Sequence, residues 1–126
     1  MDKVCFGIDL GGTTVKIGLF TEEAKLIDSL EIPTRKEDEG SHILSDICEA
    51  IEAKLVEKKI TRDNLVGVGI GIPGPITKDG TVLNCVNLGW GMFNVEEKLS
   101  QMLGGVKVKA GNDANVAALG ETWQGG

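Results

Sequence analysis

The stretch Asp9-Leu10-Gly11-Gly12-Thr13-Thr14 stands between two runs of alternating apolar residues. Before it, residues 3–10 place Val4, Phe6 and Ile8 on one face; after it, residues 14–20 do the same with Val15, Ile17 and Leu19. A period of two marks each run as a strand, and the paired glycines mark the hairpin that joins them. Gly11 and Gly12 carry no Cβ and tolerate positive φ, so the turn can bring backbone N–H groups close to a phosphate. Thr13 and Thr14 add hydroxyl donors. Asp9, at the end of the first strand, can hold a hydrated Mg²⁺ that accompanies a nucleotide. The same six residues suit a plain hairpin turn with a capping aspartate equally well. A Walker loop is excluded, because GxxxxGK[ST] does not occur.

Working outward, residues 25–32 give a third strand, with Leu26, Asp28, Leu30 and Ile32 alternating against Ile27. The polar segment 34–40 breaks the pattern. Ser41 then reads as the N-cap of a long helix, in which Leu44, Ile47, Cys48, Ile51 and Leu55 form one apolar stripe. Lys58 or Lys59 suits its C-terminus. Residues 65–72 form an apolar strand with Gly67, Gly69 and Gly71 at every second place, stopped by Pro73-Gly74-Pro75. Residues 76–94 read as an irregular excursion with short strand pieces. A short amphipathic helix follows over 95–102, then a strand over 106–110 and a helix from about residue 114 to 123. One layered α/β domain with a mixed sheet is the simplest packing for this order.

Composition narrows the function classes. The net charge of −6 opposes non-specific binding to nucleic acid, which needs clustered Lys and Arg. No apolar run approaches the length of a membrane span, and no signal peptide precedes the first strand, so neither nucleic acid nor membrane is an expected partner. Cys5, Cys48 and Cys85 are widely spaced in apolar stretches, without a CxxC pair. They read as small buried hydrophobes, and reduced thiols suit a cytoplasmic protein.

Two further segments bear on chemistry. Gly111-Asn112-Asp113-Ala114-Asn115 lies where a strand ends and a helix opens, the edge at which α/β folds collect ligands. An aspartate there stays ionised beside the helix N-terminus and can accept a proton from a hydroxyl that attacks phosphorus. Asn112 can donate to and accept from adjacent hydroxyls. An N-cap pair explains Asn112 and Asp113 as well. Gly69-Ile70-Gly71-Ile72-Pro73-Gly74-Pro75 would make a bare wall against a flat ring, or a close packing surface.

These three segments in this order resemble the ROK family of sugar kinases and repressors, within the wider actin-like ATPase group that includes hexokinase. The resemblance runs over the whole chain. It implies an α/β, ribonuclease H-like (actin-like ATPase) domain: a mixed five-stranded sheet with helices on both faces, in the order βββαβαβα. Asn87-Leu88-Gly89-Trp90 is similar to a segment of the bacterial glucokinase branch. By resemblance, Asp113 is the general base for the sugar 6-hydroxyl, and Asn112 binds the sugar together with Gly74 and Asn87. Gly11, Gly12, Thr13 and Thr14 touch the phosphates of ATP, and Asp9 serves Mg²⁺ through water.

The family's second Gly-rich phosphate segment, its ExxH sugar motif and its CxCG zinc motif do not occur in residues 1–126. His42, at the start of the long helix, reads as a solvated residue rather than a substitute. Residues 1–126 are therefore expected to be the N-terminal small lobe of a longer kinase that is a homo-oligomer, with the structural zinc site outside this chain. This piece alone is expected to be inactive. A kinase for another hexose or an N-acetylated amino sugar is the nearest alternative. A sugar-sensing repressor is a further one, disfavoured because a strand beginning at Lys3 leaves no room for a helix-turn-helix ahead of it.

Overall fold

The computed structural model describes residues 3–23, 25–74, 76–85 and 88–112. Strand β1 (Val4–Leu10) lies at the centre of a five-stranded sheet, with β2 (Thr14–Thr21) and β3 (Leu26–Pro33) on one side. β4 (Leu65–Ile72) and β7 (Val108–Asn112) lie on the other. The spatial order is β3-β2-β1-β4-β7. β1, β2 and β3 form an antiparallel meander, whereas β4 and β7 run parallel to β1. The sheet is mixed, as expected.

The parallel connections need crossovers. From β3 to β4 the chain passes through α1 (Glu37–Gly40), α2 (Ile43–Glu57) and the 3₁₀ turn Arg62–Asn64. From β4 to β7 it passes through a hairpin of β5 (Thr81–Cys85) and β6 (Trp90–Asn94), then α3 (Val95–Met102).

Alternation along the strands sends Phe6, Ile8 and Leu10, Val15, Ile17 and Leu19, and Val68, Ile70 and Ile72 to one face. The α2 stripe (Ile43, Leu44, Ile47, Ile51, Leu55) and α3 (Val95, Leu99) join these residues in one core. Each fully buried side chain contributes about 1.5–3 kcal/mol by leaving water. The opposite face carries Gly7 and Asp9, Lys16 and Gly18, and Gly67, Gly69 and Gly71, which share a side by register. Both described long helices pack on the apolar face; the helix expected from about residue 114 lies outside the described residues.

Three details differ from expectation. The residue flanking α2 is His42, not Ser41; Ser41 instead closes α1, its N–H donating to the Asp38 carbonyl at 3.2 Å. β7 covers 108–112 rather than 106–110, which carries the strand up to Asn112. The short strand pieces expected after β4 are present as β5 and β6, but they are paired with each other and pinned by Trp90. Its indole N–H donates to the Gly40 carbonyl at 3.0 Å, and its ring meets Phe93 edge-on at 5.0 Å. Cys5, Cys48 and Cys85 are buried, and burial pushes the Cys48 thiol up to about 11. His42 is part-exposed and faces Asp38 at 2.9 Å.

Candidate functional site

The β1–β2 turn is closed by one backbone bond, from the Gly11 N–H to the Thr14 carbonyl at 3.0 Å. Two bonds from Thr34, just past β3, hold it from outside. The Thr34 N–H donates to the Thr13 carbonyl and its hydroxyl to the Gly11 carbonyl, both at 2.9 Å. Thr34 is the buried polar side chain of the described core region. The N–H groups of Gly12 and Thr13 donate to no acceptor among the described residues. Two consecutive unpaired amides at an exposed turn are the elements of an anion cradle.

The two glycines differ in why they are glycine. Neither lies in the left-handed region, so positive φ is not the reason at either position. A Cβ on Gly11 would come within 2.8 Å of the Thr14 carbonyl oxygen, whereas one on Gly12 would meet nothing within 4 Å. Gly11 is therefore required by the turn. Gly12 has room for a side chain, and its bareness leaves space for something outside the fold.

Asp9 faces the glycine side of the sheet, opposite Lys16 in β2 and Gly71 in β4. Thr14 shares that side by alternation. Asp9 and Lys16 have no ion pair or hydrogen bond from a side chain among the described residues. Together with Gly7, Gly18 and Glu31 they line an open groove of about 420 Å³. No cluster of three or more His, Cys, Asp or Glu suited to a metal occurs among the described residues. A lone unpaired carboxylate fits Mg²⁺, which keeps several waters and takes one or two carboxylates together with substrate phosphates.

The remaining segments converge on the same edge. β1, β4 and β7 are parallel, so the hairpin, Pro73-Gly74 and Asn112 all lie at the carboxyl ends of their strands. Ile72 is opposite Asn112, and Gly71 bridges between Asp9 and Gly111. This is the edge where ligands of open α/β sheets bind. Gly74 packs against Cys85, whose sulfur would lie 3.1 Å from an added Cβ, so Gly74 can offer a ligand only its backbone. Leu88 and Trp90 are core residues, and Gly89 has φ of 75°. Asp113 and Asn87 lie outside the described residues.

The model of the ROK family matches residues 5–126. The chain belongs to the ROK family. Among relatives, a glucokinase of Halalkalibacterium halodurans is 39% identical over 125 residues, covering 98% of this chain and 38% of that protein. An N-acetyl-D-glucosamine kinase of Yersinia pestis is 37% identical over 123 residues, covering 94% of this chain and 44% of that one. Among solved structures, a ROK family glucokinase from Streptomyces griseus in complex with glucose and AMPPNP superposes with a TM-score of 0.75 at 31% identity. That match covers 98% of this chain and 37% of that one. A ROK family transcriptional regulator, homolog of E. coli MLC protein, has a TM-score of 0.78 at 17% identity and shares the fold. The chain thus spans less than half the length of these four proteins. The mixed five-stranded sheet is that of the actin-like ATPase fold seen in these ROK structures.

Two residues of the site escape a reading of sequence alone. Lys16 could have been found from the alternation that puts it on the side of Asp9. Thr34 has no such local signal, because its partner Gly11 is 23 residues away.

Proposed function

We propose that this ROK chain is the N-terminal small lobe of a longer sugar kinase that transfers the γ-phosphoryl group of ATP to a hexose, glucose being the first candidate. The observation that supports it most is the hairpin whose Gly12 and Thr13 amides are unpaired beside an unpaired Asp9. The amides, with the Thr13 and Thr14 hydroxyls, hold phosphate oxygens. Asp9 holds Mg²⁺ through water, and that ion, when bound, neutralises charge on the transferring group. At the end of β7, Asn112 hydrogen-bonds the sugar, and Asp113, the next residue in sequence, accepts the proton of the attacking hydroxyl. Gly74, through its backbone, and Asn87 complete the sugar side. Donor charge is stabilised in place rather than by new covalent chemistry.

The substrate is argued from relatives: the glucokinase of H. halodurans favours glucose, and the N-acetyl-D-glucosamine kinase of Y. pestis makes an N-acetylated amino sugar the second candidate. Cytoplasmic location and homo-oligomeric assembly of the longer protein belong to the same proposal. The test is a kinase assay of the full-length protein that carries this chain, with ATP or polyphosphate as donor and glucose, fructose, allose and N-acetylated amino sugars as acceptors. Phosphorylation of one of them carries the proposal. Sugar binding without turnover of any donor would replace it with a sensor.

A further inference from the structure

We propose that Thr34 is a positioning residue for the phosphate hairpin: its hydroxyl orients the Gly11–Gly12 peptide so that the Gly12 N–H faces the ligand. The inference rests on the phosphate-binding role proposed for that hairpin. A trans peptide unit points its C=O and its N–H in opposite directions. The Gly11 carbonyl and the Gly12 N–H belong to one unit, so fixing the carbonyl fixes the amide. The Thr34 hydroxyl accomplishes this at 2.9 Å from a largely buried position. Its own N–H, bonded to the Thr13 carbonyl at 2.9 Å, locks Thr34 to the turn independently of the side chain.

The control falls on the softest unit of the hairpin. It joins two glycines, the residues with the widest conformational freedom. Gly12 has no neighbour within 4 Å of a Cβ position to restrain it. A carbonyl turned toward the site would present an oxygen to an anion, and the hydroxyl prevents this by occupying that oxygen. Valine has nearly the shape of threonine without the donor, so Thr34→Val removes the orienting bond and leaves the Thr34 N–H bond in place. Serine retains the donor.

The experiment measures KM for ATP and KM for the hexose separately in the full-length protein, for Thr34→Val, Thr34→Ser and Gly12→Val. Thr34→Val is expected to raise KM for ATP about tenfold, the loss of one charge-assisted amide–phosphate bond, with KM for the hexose within about twofold. Thr34→Ser is expected to restore both values to within about twofold of the parent. If Thr34→Val does not fold, Thr34→Cys, a weak donor of similar size, must show the same selective rise. An unchanged KM for ATP in Thr34→Val or Thr34→Cys, alongside a raised one in Gly12→Val, overturns the role of Thr34 alone. So does an equal rise in both KM values. An unchanged KM for ATP in Gly12→Val removes the phosphate role of the hairpin, and the proposal for Thr34 with it.

Discussion

Replacing Gly11 and Gly12 singly with Ala separates what the turn needs from what a ligand needs. At Gly12 the φ lies outside the left-handed region and a Cβ has nothing within 4 Å. Alanine there reduces the freedom of the unfolded chain without straining the native one, which stabilises by about 0.4–1 kcal/mol. At Gly11 the same entropic gain is opposed by a Cβ 2.8 Å from a backbone oxygen, Thr14 O, which cannot rotate away. Forced overpacking of that kind costs about 1–3 kcal/mol. Adjacent, chemically identical substitutions are therefore expected to differ by about 2 kcal/mol, with opposite signs. For a chain of this size that is a gap of roughly 8 °C between the two melting temperatures. Urea denaturation at a common m-value measures the same gap as a shift of midpoint. If Gly12→Ala destabilises as much as Gly11→Ala, both glycines serve the turn and the space at Gly12 implies no ligand. If Gly12→Ala is neutral or stabilising while the bulkier Gly12→Val raises KM for ATP in the full-length protein, only an external group can account for the bare position.

Three other outcomes follow from particular residues. On the proposed function, Asp113→Asn in the full-length protein is expected to lower kcat by on the order of 10²–10⁴-fold, the usual contribution of a general base; steady-state kinetics with saturating ATP and hexose measure it, and an unchanged kcat removes Asp113 from the proposed chemistry. Asp28 is held at about 2, below its ordinary 3.8, chiefly by the Lys54 ammonium at 2.7 Å and then by the Ser29 N–H. Its folded value is depressed, so its contribution to stability is present above 3.8 and lost as pH falls through about 2. The urea midpoint of Asp28→Asn should lie below that of the parent at neutral pH and converge on it between those values. Gly40→Ala places a Cβ at φ of 72°, against the Leu88 carbonyl and 2.8 Å from the Trp90 ring. It should cost about 2–5 kcal/mol, with a red-shifted Trp emission as the Trp90–Gly40 bond is lost.

The main sheet was legible because its strands alternate strictly: Val4, Phe6 and Ile8 need only a period of two to be placed together. α3 was equally plain from Val95 and Leu99. What sequence could not give was anything set by contacts distant along the chain. α1 lies in the polar run 34–40, where no apolar period exists, and a bond from Trp90, 50 residues on, reaches its last residue. The β5–β6 pair hides because Leu83 and Met92 face outward and Asn84 takes φ of 83°, so its alternation is broken. At the site, the hairpin and the place of Asp9 at the end of β1 were legible, but the distinct demands on Gly11 and Gly12 were not. Positive φ, the usual reason for glycine in a turn, applies to neither.

The register also bears on whether phosphate and Mg²⁺ can be assigned separately. Glu31, Lys16, Asp9, Gly71 and Gly111 form one transverse row on the glycine side of the sheet. Neighbouring strands lie about 4.8 Å apart, so the charged half of the row ends about 10 Å from Gly111, next to Asn112. Asp9 and Lys16 oppose each other directly yet form no ion pair among the described residues. An anion approaching the Gly12 and Thr13 amides from this side meets a carboxylate and an ammonium as separate charges. The carboxylate repels it unless a cation lies between them. Phosphate at the hairpin and Mg²⁺ at Asp9 are thus one hypothesis. If polyphosphate binds this hairpin equally well with and without Mg²⁺, the link between the two fails and the assignment of Mg²⁺ to Asp9 is withdrawn, while phosphate binding at the hairpin stands.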